Sequence, residues 1–455
     1  MTSITKQVKN ALLLIMLPLL SMAALAGLPA GQSFAASLHK TPNADTTVTT
    51  AIRELLADNK PNLKIYFPES VKRFYRQRDF APGWVNPQNR DQKTWESMML
   101  LDCVLQYGLA HADYHPADII YSRLHDILER PATVSSAGKA QYDILLTDAM
   151  ITFINHLHFG KLNPDFPAKK IDRMTADFRA DIILANALQQ RDYTRAILDV
   201  QPKTKEYEDL QRRMHLLEGV YQGDCYEIPQ AEIRKIAINM ERLRWMNIDG
   251  GSYIHINIPS FTLKFHRPDM VYEFKIVAGK PATPTPVVTN SITYFTVGYK
   301  RRPGNMPGLR INKENEYQGN NTINNYTLRG TQPGAIFFWQ ANNKGITLLG
   351  LGKAKMPVNK AQAITDGTIK IENGRKLAAL LLENDKTAAR IKEMQTALNA
   401  GQMKNFMLQT PVPLRITYIT CEMKDGVLVT YPDVYNKDKK LEMALYNTNQ
   451  ALTMR

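Results

Sequence analysis

The chain has 455 residues, 44% of them hydrophobic and 22% charged, which is enough for two or three domains and ordinary for a folded globular protein, so disorder is not the default reading. Its formal net charge is +14, so anionic partners are favoured over cationic ones. The three cysteines, Cys103, Cys225 and Cys421, form no CxxC pair and are odd in number, so a disulfide framework is not what stabilises the fold, although Cys225 could pair with another in an oxidising compartment.

Lys6 and Lys9, an apolar run from Ala11 to Met22, and Ala24 and Ala26 in an A-x-A arrangement read as a secretory signal peptide over residues 1–26. Its removal lowers the net charge from +14 to +12, because the segment holds two lysines and no acid. An exported basic protein meets wall polymers or lipid headgroups. Nucleic acid is excluded as a partner, and the membrane is engaged only through the signal segment if it stays uncleaved.

Residues 27–50, rich in Ala, Ser, Thr and Pro, read as a flexible tether. From 51 to 223 the apolar spacing is helical, as in Tyr142, Leu145, Leu146, Ala149, Phe153, Ile154 and Leu157 before Gly160, and again in Tyr207, Leu210, Met214 and Leu217. His111 and His115 have the i, i+4 spacing that places two imidazoles on one helical face, with His156 and His158 downstream. No third ligand and no H-E-x-x-H accompany them, so no metal and no other cofactor is expected.

Near Gly250 the period becomes two. Ile254, Ile256 and Ile258 alternate with polar residues, Phe261, Leu263 and Phe265 repeat the pattern, and Tyr272, Phe274, Ile276 and Ala278 continue it. This opens a mainly β domain over 233–440. Residues 297–333, dense in Gly, Pro and Asn, read as an inserted lid, with Lys300, Arg301 and Arg302 as candidate substrate-binding cations beside Arg310. Strands are expected at Ala335–Trp339 and Ile346–Leu349. An Asp366-Gly367 turn follows, with a strand from Thr368 to Ile371. Helices are expected at Arg375–Leu382 and Asp385–Leu398, the second with Asp385 as N-cap. A last hairpin pairs Leu414–Tyr418 with Val427–Tyr431 across Asp425-Gly426, and 441–455 reads as a helical tail.

Several motifs in order resemble the large multidomain L,D-transpeptidases, bacterial enzymes that remodel peptidoglycan. Phe74-Tyr75-x-Gln77-Arg78-x-Phe80-Ala81-Pro82-x-Trp84, Tyr107-Gly108-Leu109 with Asp113-Tyr114-His115, and Phe159-Gly160-Lys161-Leu162-Asn163-Pro164 are similar to the family's scaffold domain. The Ala237–Val277 region, Gly279-Lys280-Pro281, Gln332-Pro333-Gly334, Pro411-Val412-Pro413 and Asp433-x-Tyr435 are similar to its catalytic domain. The resemblance covers nearly everything after residue 60. It implies an α+β multidomain fold, an all-helical scaffold before a mainly β domain, exported to the periplasm or cell envelope.

The resemblance also implies acyl transfer by a cysteine in a loop that reads Ser-His-Gly-Cys-(Ile/Val)-Arg. In this chain those positions hold Thr365, Asp366, Gly367, Thr368 and Lys370; the family's second histidine falls at Leu349 and a further arginine at Gln362. None of the nine histidines lies beyond His266, so a base would have to reach over from His255 or His266. Asp366, sharing a strand face with Thr368, would be a feeble base, since an ordinary Asp has a pKa of about 3.9. The expectation is a catalytically degenerate member that binds peptidoglycan stem peptides or other wall components, or works with another wall enzyme. A second reading keeps an acyl transferase with rebuilt chemistry at Thr368, and a third puts the function in the helical domain alone.

Overall fold

The computed structural model describes residues 46–57, 63–85, 92–175, 177–218, 230–246, 251–298, 311–313, 326–328, 335–341, 346–351, 363–365 and 367–446. The expected signal peptide and nearly all of the tether, Cys225, Gln362, Asp366, Lys300, Arg301, Arg302 and Arg310 therefore lie outside the described residues.

The 24-residue helix Ser136–Phe159 is the axis of the helical half. Ser135 caps it by accepting from the Gly138 amide (3.1 Å), and Gly160, at φ +84°, ends it as expected. It has no solvent face along most of its length, because helices Thr46–Leu56, Pro68–Arg76, Gln92–Asp102, Ala180–Ala187 and Tyr193–Leu198 pack around it. Two carboxylates sit inside this apolar stretch, and both fix neighbouring backbone. Asp143 accepts from the amides of Gly83, Trp84 and Val85 (2.8–2.9 Å) and from the Tyr75 hydroxyl (2.6 Å). Asp148 accepts from the amides of Tyr66 and Phe67, both at 2.9 Å. A buried charge is stable only when fully hydrogen-bonded, and these two are.

His111 and His115 do not share a helical face. The segment is a short 3-10 turn, His111–Asp113, and His115 takes φ +53°. One ring meets the Asp102 carbonyl (2.9 Å) and the other the Asp148 carboxylate (2.7 Å), so the chain reversal before Pro116 overrides the helical spacing.

A second core joins helices Lys205–Glu218 and Ala231–Arg244, through Tyr207, Leu210, Met214, Ile236 and Met240, to Ile419, Cys421 and Leu445 near the C-terminus. Among the described residues no helix is long and apolar enough to cross a membrane.

The strands are β1 Tyr253–Asn257, β2 Thr262–His266, β3 Val271–Gly279, β4 Val288–Val297, β5 Ile311–Lys313, β6 Tyr326–Leu328, β7 Ile336–Gln340, β8 Leu348–Gly350, β9 Ala363–Thr365, β10 Ile369–Ile371, β11 Lys404–Thr417, β12 Cys421–Lys424 and β13 Val427–Thr430. Their order is β10-β8-β7-β4-β11-β1-β2-β3-β9, and β3 also pairs with β10, which closes a barrel. Alternate residues fill it, among them Ile254, Ile256, Leu263, Phe265, Phe295 and Phe406, and Leu377 and Leu381 of helix Gly374–Asn384 join that core.

The polar residues His255 and Asn257 of β1 are buried, because the second core covers that face. Two expectations are corrected here. The last hairpin pairs β12 with β13, whereas Leu414–Thr417 belongs to β11, which lies between β1 and β4. Asp385 is not the cap of the second helix, which runs Arg390–Ala400; its carboxylate instead accepts from the Gln409 and Thr410 amides, each at 3.0 Å. Within the expected lid, residues 297 and 298 and the β5–β6 pair are described.

Candidate functional site

Thr365 and Thr368 stand where the barrel rim divides. β3 pairs with β10 through Ile276 and Val277, then with β9 through Ala278 and Gly279, so the chain between β9 and β10 must turn across the end of β3. Gly367 makes that turn at φ +81°, in the left-handed region glycine favours. The Lys280 amide donates to the Thr365 carbonyl (2.8 Å), and the Thr283 hydroxyl reaches the same oxygen (3.3 Å). Behind this, the Tyr435 hydroxyl donates to the Gly279 carbonyl (2.6 Å) and accepts from the Thr285 amide (3.2 Å), while Asp433 holds the Tyr418 hydroxyl (2.6 Å) that receives the Tyr435 amide. Asp433-x-Tyr435 therefore works as a brace for this rim.

The reactive positions themselves hold little chemistry. Thr365 and Thr368 are both buried, and the Thr365 hydroxyl donates to the Thr368 carbonyl, so it is spent on closing the turn. Leu349 lies beside Lys370 in the parallel β8–β10 pair. It is 4% exposed and packs with Ala335 and Phe337, with Trp339 and Leu351 against them, in a small apolar cluster separate from the barrel core. Gly350 and Gly374 approach so closely that a Cβ on Gly350 would stand 2.7 Å from the Gly374 Cα. No side chain fits at residue 350, one position after Leu349.

Neither histidine of the opening strands reaches the turn. The His255 ring meets the Thr417 hydroxyl on β11 (2.7 Å), and burial pulls its pKa down to about 3. His266 stacks on Tyr253, with centroids 4.3 Å apart, and burial lowers it too. The remaining described histidines belong to the helical half. Cys421 is fully buried on β12, where burial pushes its thiol up to about 12, far from a nucleophile's range. Cys103 lies in the helical half.

Thr365, Gly367, Thr368 and Lys370 follow one another from β9 into β10, and Leu349, in its apolar cluster, lies beside Lys370. Phe337 and Ala335 were not singled out as site residues. Their signal was present in the apolar run Ala335-Ile336-Phe337-Phe338, which leaves this part of the strand without a polar face.

A helical scaffold, a closed barrel and a braced β9–β10 turn define a two-part α+β protein. A family description, Scaffold domain, matches residues 69–214. The chain is 22% identical over 427 residues to a protein of Haemophilus influenzae named "Putative L,D-transpeptidase", covering 84% of this chain and 81% of that one. Together the two likenesses support a member of the large multidomain L,D-transpeptidase family.

Proposed function

We propose that this protein is an exported, non-catalytic member of its family that binds peptidoglycan in the periplasm or cell envelope, or regulates its remodelling by another wall enzyme. The observation that carries the reading is the cluster of Leu349, Phe337 and Ala335 beside Lys370, two residues after Thr368, where acyl transfer needs an imidazole and a thiolate. A threonine hydroxyl without a matched base is a poor nucleophile, and losing a general base alone removes about 10²–10⁴-fold in rate. Support for peptidoglycan as the ligand comes from the name of the relative, and support for export from the N-terminal lysines and apolar run.

Purified protein incubated with a disaccharide tetrapeptide should release no D-alanine above a boiled control, and should be retained on isolated sacculi at physiological salt. Release that disappears in Thr368→Ala would establish the rebuilt transferase instead. Absence of both release and retention would remove the wall-binding reading.

A further inference from the structure

An open cleft of about 830 Å3 lies between the Leu162–Asp165 loop, Trp245 and Met246 after helix Ala231–Arg244, the start of β4, the end of β11, and helix Asp438–Leu445. It is a different place from the β9–β10 turn. Its size is that of a small-ligand site, and its charged lining is one-sided. Arg242, Arg415, Lys437 and Lys440 line it, against one carboxylate, Asp165.

Two of these cations are held in place. Arg242 lies 2.7 Å from Asp438 and its guanidinium sits 5.1 Å over the Tyr418 ring. The Lys437 ammonium sits over the rings of Tyr418 and Tyr435, at 5.3 and 5.7 Å. Burial, with Arg242 beside it, pulls Lys437 below the ordinary lysine value, and burial lowers Arg415 against the opposing pull of Asp165. Positive charge is therefore crowded into a partly desolvated wall, a cost that a bound anion relieves.

The remaining lining decides which anion. Trp245, Met246, Pro286, Val287, Val288 and Leu441 make it largely apolar. Neutral hydrogen-bonding groups are few and mostly occupied: Thr417 engages His255, Tyr418 engages Asp433, and Tyr435 engages Gly279. The Tyr418 and Tyr435 rings stack on each other, with centroids 5.5 Å apart, beneath the cations. A sugar chain needs more neutral donors and acceptors than this wall offers in Thr289 and Asn436 beside the occupied groups. A peptide with carboxylates and aliphatic side chains finds a partner for each.

We propose that this cleft binds a short acidic peptide, its carboxylates on Arg415, Lys437 and Lys440 and its apolar side chains on Trp245, Met246 and Val287. The site stands whether or not the β9–β10 turn engages peptidoglycan, so sacculus retention and peptide binding fail independently.

The test is calorimetric titration of the full chain with acetyl-Glu-Val-Glu-Leu, with acetyl-Gln-Val-Gln-Leu, and with an oligogalacturonate of similar charge. The acidic peptide should bind at least about tenfold more tightly than its glutamine counterpart, as charge-assisted hydrogen bonds imply, and should weaken as salt rises. Lys437→Ala/Lys440→Ala should weaken it about tenfold or more. Because Lys440 is exposed, Lys440→Ala alone keeps the fold and should still weaken binding about threefold or more. No binding of the acidic peptide, equal binding of the glutamine peptide, tighter binding of the oligogalacturonate, or undiminished affinity in Lys440→Ala would each overturn the proposal.

Discussion

Ionisable side chains are spent very differently at the seam between the two halves of the fold and at the β9–β10 turn. At the seam, Glu241 accepts from the amides of Lys161 (3.1 Å) and Leu162 (2.6 Å) and from the Trp245 indole (3.0 Å), and lies 3.5 Å from Arg244. Arg244 in turn donates to the Tyr107 carbonyl and the Tyr207 hydroxyl. Both side chains are fully buried. At the turn, the positions that would carry acyl transfer hold two threonines, a leucine and a lysine beside an apolar cluster. The difference teaches that several motifs of the resemblance, Tyr107-Gly108 and Phe159-Gly160-Lys161-Leu162 among them, keep their place by fastening segments to each other. Fastening of this kind needs no reactive centre.

The largest effect that would break this comparison is expected at the seam. Glu241→Ala leaves Arg244 buried without its carboxylate and strips two amides of their acceptor, so a loss of about 3–5 kcal/mol is expected in denaturant unfolding. A loss below about 1 kcal/mol would mean that the network is incidental.

Next in size is a pH effect from His255. Its folded pKa, pulled to about 3 by burial, lies below the unfolded value of about 6.5. Below 6.5 the unfolded chain therefore takes up a proton that the folded chain refuses, and stability falls as pH drops from 6.5 towards 3, by at most about 1.4 kcal/mol per unit. Between pH 6 and 4, His255→Asn should show a flatter unfolding profile than the parent. An unchanged slope would assign the acid sensitivity elsewhere, with His266 the next group to replace.

The helix Ser136–Phe159 and the strands β1, β2, β3, β7, β8 and β10 were legible because their apolar periods are local properties of the chain. Positions 349, 365, 368 and 370 were assigned by the resemblance, residue by residue. What the sequence hid is the work of carboxylates over long separations. Asp143 fixes Gly83–Val85 and Asp148 fixes Tyr66–Phe67, and no local pattern announces a partner about 60 to 80 residues away. The signal that existed was an acidic residue inside an otherwise apolar helical run, since such a charge must be satisfied by something. Asp385 misled for a related reason. It stood where a cap is expected, but the β11 amides of Gln409 and Thr410 won it. The burial of His255 and Asn257 was not legible either, because alternation reports two chemically different faces and says nothing of what later packs on them.

Smaller effects belong to the turn. Thr365→Val keeps the shape and removes the bond to the Thr368 carbonyl, so about 1 kcal/mol of stability should be lost. A measured change near zero would mean that the hydroxyl does not close the turn.

The smallest expected effect is the most telling for function. Thr368→Cys restores the family's nucleophile atom, yet no D-alanine release should appear. An ordinary cysteine with a pKa of about 8.5 is only a few per cent thiolate at neutral pH, and the burial seen at residue 368 suppresses ionisation further. The imidazole that would take the proton has no counterpart at Leu349, and residue 366 is an aspartate. Reaction of the new thiol with iodoacetamide should accordingly be no faster than that of free cysteine at the same pH. Rapid labelling, or release of D-alanine by this single variant, would mean that a base does serve the turn, and the contrast between a charged seam and a chemically silent rim would fail.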